Sequence, residues 1–317
     1  MTLSRDPEVL LDAAAGGDRA ALARLLSMIE AGGEMARQVG RLAHVRGGDG
    51  YTVGLTGAPG SGKSTLTDRL IGEIRSRGEE VAVLAIDPSS PFTGGAILGD
   101  RVRMQGRSTD PGVFIRSMAT RGHLGGLSLA TPTAVRVLDA VGRPWVLIET
   151  VGVGQVEVEI AANADTTVVV VNPRWGDAVQ ANKAGLMEIA DIFVINKADR
   201  PGAEDTRRDL DLMLELSDLG SGRWRPPIIS TVASTGEGSA ELWAGIGEHR
   251  RHLETSGDLT ERRSRRISGE IIEIMHRLIE EEVGDLTATT DFVAVQADVV
   301  ERRLDPWAAA EKLLARR

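Results

Sequence analysis

The run Gly57-Ala58-Pro59-Gly60-Ser61-Gly62-Lys63-Ser64 has the glycine spacing, the lysine and the hydroxyl of a phosphate-wrapping loop. Gly57, Gly60 and Gly62 let the backbone curl so that successive N–H groups face phosphate oxygens. Lys63 is expected to reach the beta and gamma phosphates, Ser64 to ligate Mg²⁺ through its hydroxyl, and Thr65 to touch the alpha phosphate. A second set, Asn196-Lys197-Ala198-Asp199, closes another apolar run further along the chain. A carboxylate at Asp199 can accept from guanine N1–H and from its exocyclic amino group, whereas adenine presents the wrong donor pattern. The stem of Lys197 can pack over the base while Asn196 braces the loop. Thr231-Val232-Ala233, after the next apolar run, offers a backbone N–H for the guanine oxygen. The two sets together imply a guanine nucleotide that is bound and hydrolysed.

Acids at strand ends are the candidates for Mg²⁺ and for positioning the attacking water. Asp87 ends Val81–Ile86, and Glu149 ends Trp145–Ile148. A glutamate is costly at a buried strand end unless it is paired or metal-bound. Gly152, just beyond, can donate its N–H to the gamma phosphate. Polar loops joining the strands carry Asp100, Arg101, Arg103, Arg121, His123, Asp177, Gln180 and Lys183. Phosphoryl transfer needs charge stabilisation and a positioned water, so Arg101, Arg103, Arg121 and Lys183 are candidate charge suppliers, with surface ion pairs the competing role. For His123, loop packing or partner contact is favoured over proton transfer.

These residues need a scaffold that brings distant loops together. Short, near-continuous apolar runs occur at Val53–Thr56, Val81–Ile86, Val113–Ser117, Trp145–Glu149, Thr167–Val171, Ile192–Asn196 and Pro227–Ser230. Such runs suit strands covered on both faces by crossover helices. The expected fold class is α/β, a mainly parallel sheet forming a P-loop GTPase domain with helices on both faces. The ligand then sits beyond the C-terminal strand ends, where the polar motifs fall. Residues 1–46 read as an N-terminal helical segment, with Asp18 capping a helix through Ala21, Leu22, Leu25, Leu26 and Ile29 that Gly32-Gly33 ends. The sheet domain is expected over 47–255, and a C-terminal helical region over 256–317. There Ile267, Ile271, Ile274, Met275, Leu278 and Ile279 recur at helical spacing, with Gly284 expected to close the helix. The stripe favours homodimer contact over core packing. Phe292–Val300 suits either a strand or a helix, and Asp305-Pro306 starts a last helix.

Composition narrows the function class. The 317 residues carry a net charge of -9, which argues against a nucleic-acid partner. There is no cysteine, so disulfides, thiolate catalysis and thiolate metal sites are excluded and a cytoplasmic location is expected. No apolar signal core or membrane-spanning stretch is visible. Basic charge is almost all arginine, and two of the four lysines lie inside the nucleotide motifs.

Ile86-Asp87-Pro88-Ser89-Ser90-Pro91-Phe92-Thr93-Gly94-Gly95, continuing to Gly99-Asp100-Arg101-Val102-Arg103-Met104, resembles the signature of the MeaB/ArgK-type GTPases, the family of the human MMAA protein. Phe114–Gly122 and Glu149–Glu157 match as well, and the likeness extends over nearly the whole chain. It implies a homodimeric, Mg²⁺-dependent GTPase that binds GTP or GDP and attends an adenosylcobalamin-dependent acyl-CoA mutase, methylmalonyl-CoA mutase above all. The cobalamin belongs to the partner mutase, whose loading, protection and reactivation GTP use would gate. The same resemblance places Asp87, Asp100 and Glu149 in the metal and switch network. It makes Pro173–Lys183 a third switch with Gln180 and Lys183 as its active residues. One departure is visible: Pro173-Arg174-Trp175-Gly176-Asp177 stands where the family often has Pro-Gly-x-Gly-Asp. The rival readings are a nickel-insertion GTPase and an amino-acid transport-associated kinase. The first wants His or Cys clusters, and only His249 and His252 are paired here, away from the motifs. The second wants an amino-acid pocket that no motif signals.

Overall fold

A computed structural model describes residues 5–87, 107, 109–119, 130–150, 163–173, 188–216 and 223–315. Its described residues divide between two compact units, Met1–Arg263 and Ser264–Arg317. The first unit opens with three helices, α1 (Pro7–Ala15), α2 (Arg19–Ala31) and α3 (Gly33–Arg46). Asp6 caps α1 by accepting from Glu8 N, and Asp18 caps α2 by accepting from Ala20 N and Ala21 N. Each such cap contributes about 1 kcal/mol.

Seven strands follow: β1 (Tyr51–Thr56), β2 (Val81–Asp87), β3 (Val113–Ala119), β4 (Trp145–Thr150), β5 (Thr166–Val171), β6 (Ile192–Asn196) and β7 (Ile228–Thr231). They form one sheet in the order β3-β2-β4-β1-β5-β6-β7, and every pairing is parallel. Between them lie α4 (Lys63–Ser76), α5 (Ala130–Ala140) and α6 (Ala203–Leu216), and α7 (Ser239–Ser256) follows β7. The chain runs from β1 out to β2 and β3, returns through β4, and continues on the far side of β1. The C-terminal end of β1 is therefore at a switch point, where open parallel sheets bind their ligands.

Burial on both faces explains the near-continuous apolar strands. Val81 and Val83 of β2 join a core with Leu66, Leu70, Ile71 and Ile74 of α4 and with Leu242 and Ile246 of α7. The alternate residues Ala82, Leu84 and Ile86 face the other way, against Leu22, Leu25 and Leu26 of α2 and Val137 and Leu138 of α5. A third cluster sets Val169, Val171, Phe193 and Ile195 against Leu210 and Leu214 of α6. Full burial of each large aliphatic side chain contributes about 1.5–3 kcal/mol, so the sheet is a stiff platform for the loops at its edge.

The second unit contains most of the 30-residue helix α8 (Asp258–Thr287), then α9 (Thr290–Val300) and α10 (Pro306–Leu314). Gly284 does not close α8, which continues to Thr287. A C-terminal glycine stop uses a left-handed backbone, and Gly284 is not among the positive-φ glycines. The segment open to either assignment is helical, with Thr289 Oγ1 accepting from Phe292 N at 3.2 Å to start α9. Asp298 of α9 pairs with Arg303 and with Lys312 of α10, and Arg303 holds its carboxyl below the usual range. No helix among the described residues is long and apolar enough to cross a membrane.

Candidate nucleotide site

The loop between β1 and α4 has a shape that only its own glycines permit. Gly57 has φ +135°, and a Cβ there would lie 2.0 Å from Val170 O of the neighbouring strand. Gly62 has φ +94°, and a Cβ there would lie 2.2 Å from Asn196 Nδ2. The loop folds tightly between, with Ser61 N donating to Ala58 O at 3.1 Å. Ser61 Oγ is buried with no hydrogen-bond partner among the described residues. Lys63 opens α4, is only 6% exposed, and lays its Nζ 2.6 Å from Gly57 O and 3.1 Å from Ala58 O. Its ammonium is thus held over the loop at the positive end of the helix.

Ser64, the next residue, donates from Oγ to Glu149 Oε1 at 2.5 Å. Glu149 is 1% exposed at the end of β4, and β4 lies beside β1 in the sheet. A carboxylate buried to this degree needs charge-assisted partners. A hydroxyl and a carboxylate, both hard oxygens, meet here at the first turn of α4. This donor set fits Mg²⁺, which takes oxygen ligands and keeps several waters. Asp87 closes β2, its backbone in register with Ala119. The side chain of Asp87, and Asp100, Arg101, Arg103, Arg121, His123, Gly152, Asp177, Gln180 and Lys183, lie outside the described residues.

The second motif is locked to the first. Asn196 Nδ2 donates to Ser61 O at 2.7 Å, and its Oδ1 accepts from Thr231 Oγ1 and from Ala233 N, each at 3.1 Å. One buried amide thus ties the phosphate loop to the loop after β7. Lys197 has φ +59°, a left-handed backbone that costs a non-glycine residue about 1 kcal/mol. Its Nζ donates to Gly60 O at 2.7 Å, so the side chain crosses toward the phosphate loop. Asn172, just beyond β5, also turns its Nδ2 toward Gly60 O, at 3.5 Å. Gly62, Thr65, Asn196, Lys197, Asp199, Arg200, Val232, Ala233 and Ser234 line one open pocket. The phosphate loop and the base-reading residues therefore border one continuous site, with Asp199 exposed in its wall.

Several contributors carried no sequence signal. Arg69, two turns into α4, donates to Ala233 O and Ser234 O across the pocket's outer wall; one arginine on an amphipathic helix looks like any surface residue. At the opposite edge of the sheet, Asp165 and Asp191 immediately precede β5 and β6. Arg262 chelates Asp191 with contacts of 2.6 and 2.9 Å, and Arg263 bonds both oxygens of Asp165 at 2.9 and 3.2 Å. Tyr51 OH, Thr166 Oγ1 and His249 Nδ1 form a buried chain with steps of 2.7 and 2.8 Å. Burial pushes the Tyr51 hydroxyl up, so it stays neutral. One sense of donation then serves the whole chain: Tyr51 to Thr166, Thr166 to His249. His249 Nε2 lies 3.3 Å from Asp191 Oδ1 but makes no hydrogen bond among the described residues. Burial lowers the His249 pKa to about 4, against the pull of Asp191. The recurrence of an aspartate just before a strand, at Asp165 and Asp191, is the one signal that could have flagged this edge.

A family model described as methylmalonyl Co-A mutase-associated GTPase MeaB matches residues 22–289. A Pyrococcus abyssi protein that carries a GTPase name is 53% identical over 303 residues, covering 94% of this chain and 93% of that protein. GTPase ArgK of Escherichia coli is 34% identical over 284 residues, covering 87% of this chain and 85% of its own length. The mouse methylmalonic aciduria type A homolog, a mitochondrial protein, is 36% identical over 272 residues, covering 83% of this chain and 65% of its own length. Among solved structures, one titled LAO/AO transport system kinase superposes with a TM-score of 0.71 at 26% identity, covering 99% of this chain and 98% of that one.

Proposed function

Because this chain belongs to the MeaB family of methylmalonyl-CoA mutase-associated GTPases, we propose that it spends GTP as a chaperone of an adenosylcobalamin-dependent acyl-CoA mutase. The GTPase activity is that of the family; the client and the gating of its cofactor are the proposal. Methylmalonyl-CoA mutase is the first candidate, supported by the description of the matching family. Adenosylcobalamin meets this protein only through the mutase.

The observation that carries the nucleotide reading is Asn196, whose side chain joins the phosphate loop, β6 and the loop after β7 in one hydrogen-bonded unit. In such a unit GTP is gripped at both ends. Backbone amides between Gly60 and Thr65 would face the phosphates once Ser61 N–H gives up Ala58 O, and the Lys63 ammonium would exchange the Gly57 and Ala58 carbonyls for phosphate oxygens. Ser64 and Glu149 would hold Mg²⁺, which when bound neutralises charge on the phosphates. Asp87 and Asp100 would add oxygens, and Gly152 an amide for the gamma phosphate. Asp199 reads the guanine edge and the Lys197 stem covers the ring. Gln180 and Lys183, in the third switch, would answer the mutase.

Dimerisation follows from α8. None of its residues is buried, and Ile271, Ile272 and Met275 are each more than half exposed. A stripe of this kind needs a cover, and a second copy of the helix supplies one. On this reading 1–46 supports the GTPase domain at 47–255, and 256–317 dimerises.

The test is GTP turnover by the full chain alone, with purified methylmalonyl-CoA mutase, with a second cobalamin-dependent mutase, and with arginine or ornithine. Stimulation by a mutase is expected. Turnover that responds to the amino acids and to neither mutase overturns the chaperone reading in favour of a kinase.

A further inference from the structure

We propose that Arg69 is a positioning residue for guanine selectivity, holding the peptide between Ala233 and Ser234 so that the Ser234 amide faces the base pocket. The inference rests on the guanine-nucleotide reading above and adds to it the residue that sets one hydrogen-bond donor.

The amides of the loop after β7 are mostly committed. Val232 N donates to Glu237 O at 3.0 Å, and Thr235 N and Gly236 N both donate to Val232 O at 3.0 Å. Ala233 N donates to Asn196 Oδ1. Among the described residues none accepts from Ser234 N–H, although Ser234 lines the same pocket as Asp199 and Gly62. Its direction is set from behind. Arg69 Nε donates to Ala233 O at 2.8 Å and Arg69 Nη2 to Ser234 O at 2.6 Å. The peptide is trans, so the Ala233 carbonyl and the Ser234 N–H point in opposite directions. Arg69 is not part of the pocket lining; it draws the carbonyl outward and leaves the N–H inward. The planar guanidinium suits this work because two donors in a fixed fork hold two successive carbonyls at once. A donor at that place suits the 6-oxo group of guanine and repels the 6-amino group of adenine. Arg69 stands on the helix that begins with Lys63 and Ser64, so it also ties the base loop to the phosphate end.

The experiment compares GDP with 6-thio-GDP, which keeps N1–H and the 2-amino group but replaces the 6-oxygen with sulfur, a weaker acceptor. Dissociation constants are measured for the full chain and for Arg69→Ala and Arg69→Lys, with ADP as a control. The unsubstituted protein is expected to favour GDP over 6-thio-GDP, and Arg69→Ala to reduce that preference by about three- to tenfold. Arg69→Lys, with a single ammonium in place of the fork, should fall between. Amide hydrogen exchange of the unsubstituted protein gives a readout that does not depend on either variant folding. GDP should protect Ser234, with 6-thio-GDP protecting it less, whereas Val232 and Ala233 are protected with or without nucleotide. A parallel loss of GDP and 6-thio-GDP affinity at an unchanged ratio would make Arg69 a plain brace and overturn the inference. So would a Ser234 amide that GDP leaves unprotected. If the unsubstituted protein bound ADP as well as GDP, the guanine reading itself would fall, and the inference with it.

Discussion

Beyond the C-terminal end of β1, the phosphate loop presents carbonyls gripped by Lys63, Asn196 and Lys197. At the N-terminal ends of β1, β5 and β6, Tyr51, Thr166 and His249 form a buried hydrogen-bonded chain, and the buried Asp191 is held by the half-buried Arg262. The contrast lies in what each set of bonds can exchange for. Lys63 and Lys197 end on loop carbonyls, so a phosphate or a base can compete for them at little cost. The Asp191–Arg262 and Asp165–Arg263 pairs have no such substitute, and removing the arginine leaves a buried carboxylate without its counter-charge. The sheet is thus anchored at one end and adaptable at the other, as a platform for a nucleotide-driven change requires.

The comparison can be broken most sharply at Lys63. Lys63→Ala should reduce GTP turnover by about 10²–10³-fold, by analogy with loss of one preorganised transition-state donor, while thermal unfolding of the nucleotide-free protein shifts little. A collapse in melting temperature would mean that the lysine belongs to the anchoring class. Asp191→Ala should do the reverse, costing about 2–3 kcal/mol of stability by removing the acceptor of the buried Thr167 N–H and of Arg262. Denaturant titration reads that cost, and an intact preference for GDP over ADP in the folded fraction is the second part of the expectation.

A pH series sharpens the same contrast. His249 is neutral in the fold, its pKa held near 4 by burial, whereas an unfolded histidine titrates near 6.5. Above about 6.5 the ring is neutral in both states and costs nothing. As pH falls toward 4 the unfolded chain takes up a proton that the fold refuses, so stability drops, by about 2 kcal/mol at pH 5. Arg262 and His252 oppose the charge on the ring, and Asp191 and Asp165 favour it. His249→Gln should flatten this part of the profile, and a variant with an unchanged acid limb would remove His249 from the anchor. The smallest effect is expected at the exposed Asp199. Asp199→Asn should narrow the GTP-to-ATP preference by roughly tenfold, the value of a charge-assisted hydrogen bond or two, measured by competition binding. An unchanged preference would take the base-reading role away from it.

The motifs needed no structure because their information is local. Gly57 to Ser64 encodes a loop through backbone freedom and side-chain order within eight positions, and the unbroken apolar runs encode strands covered on both sides. Asp18 and Asp305 announce helix starts in the same way. Phe292–Val300 was harder, because a short apolar run is compatible with either period and the Thr289 cap decides it. Gly284 misled for a related reason: a glycine permits a helix stop without enforcing one.

By itself the sequence determined the parallel α/β scaffold, the phosphate loop and the set of residues suited to guanine, since each is written in neighbours along the chain. Only the tertiary structure decided that Asn196 would join Ser61 to Ala233, that Arg69 would reach across from α4 to Ser234, and that His249 would be sealed against Asp191. Those partners lie far apart in the chain, and their meeting depends on strand order and helix placement, which no local pattern of residues specifies.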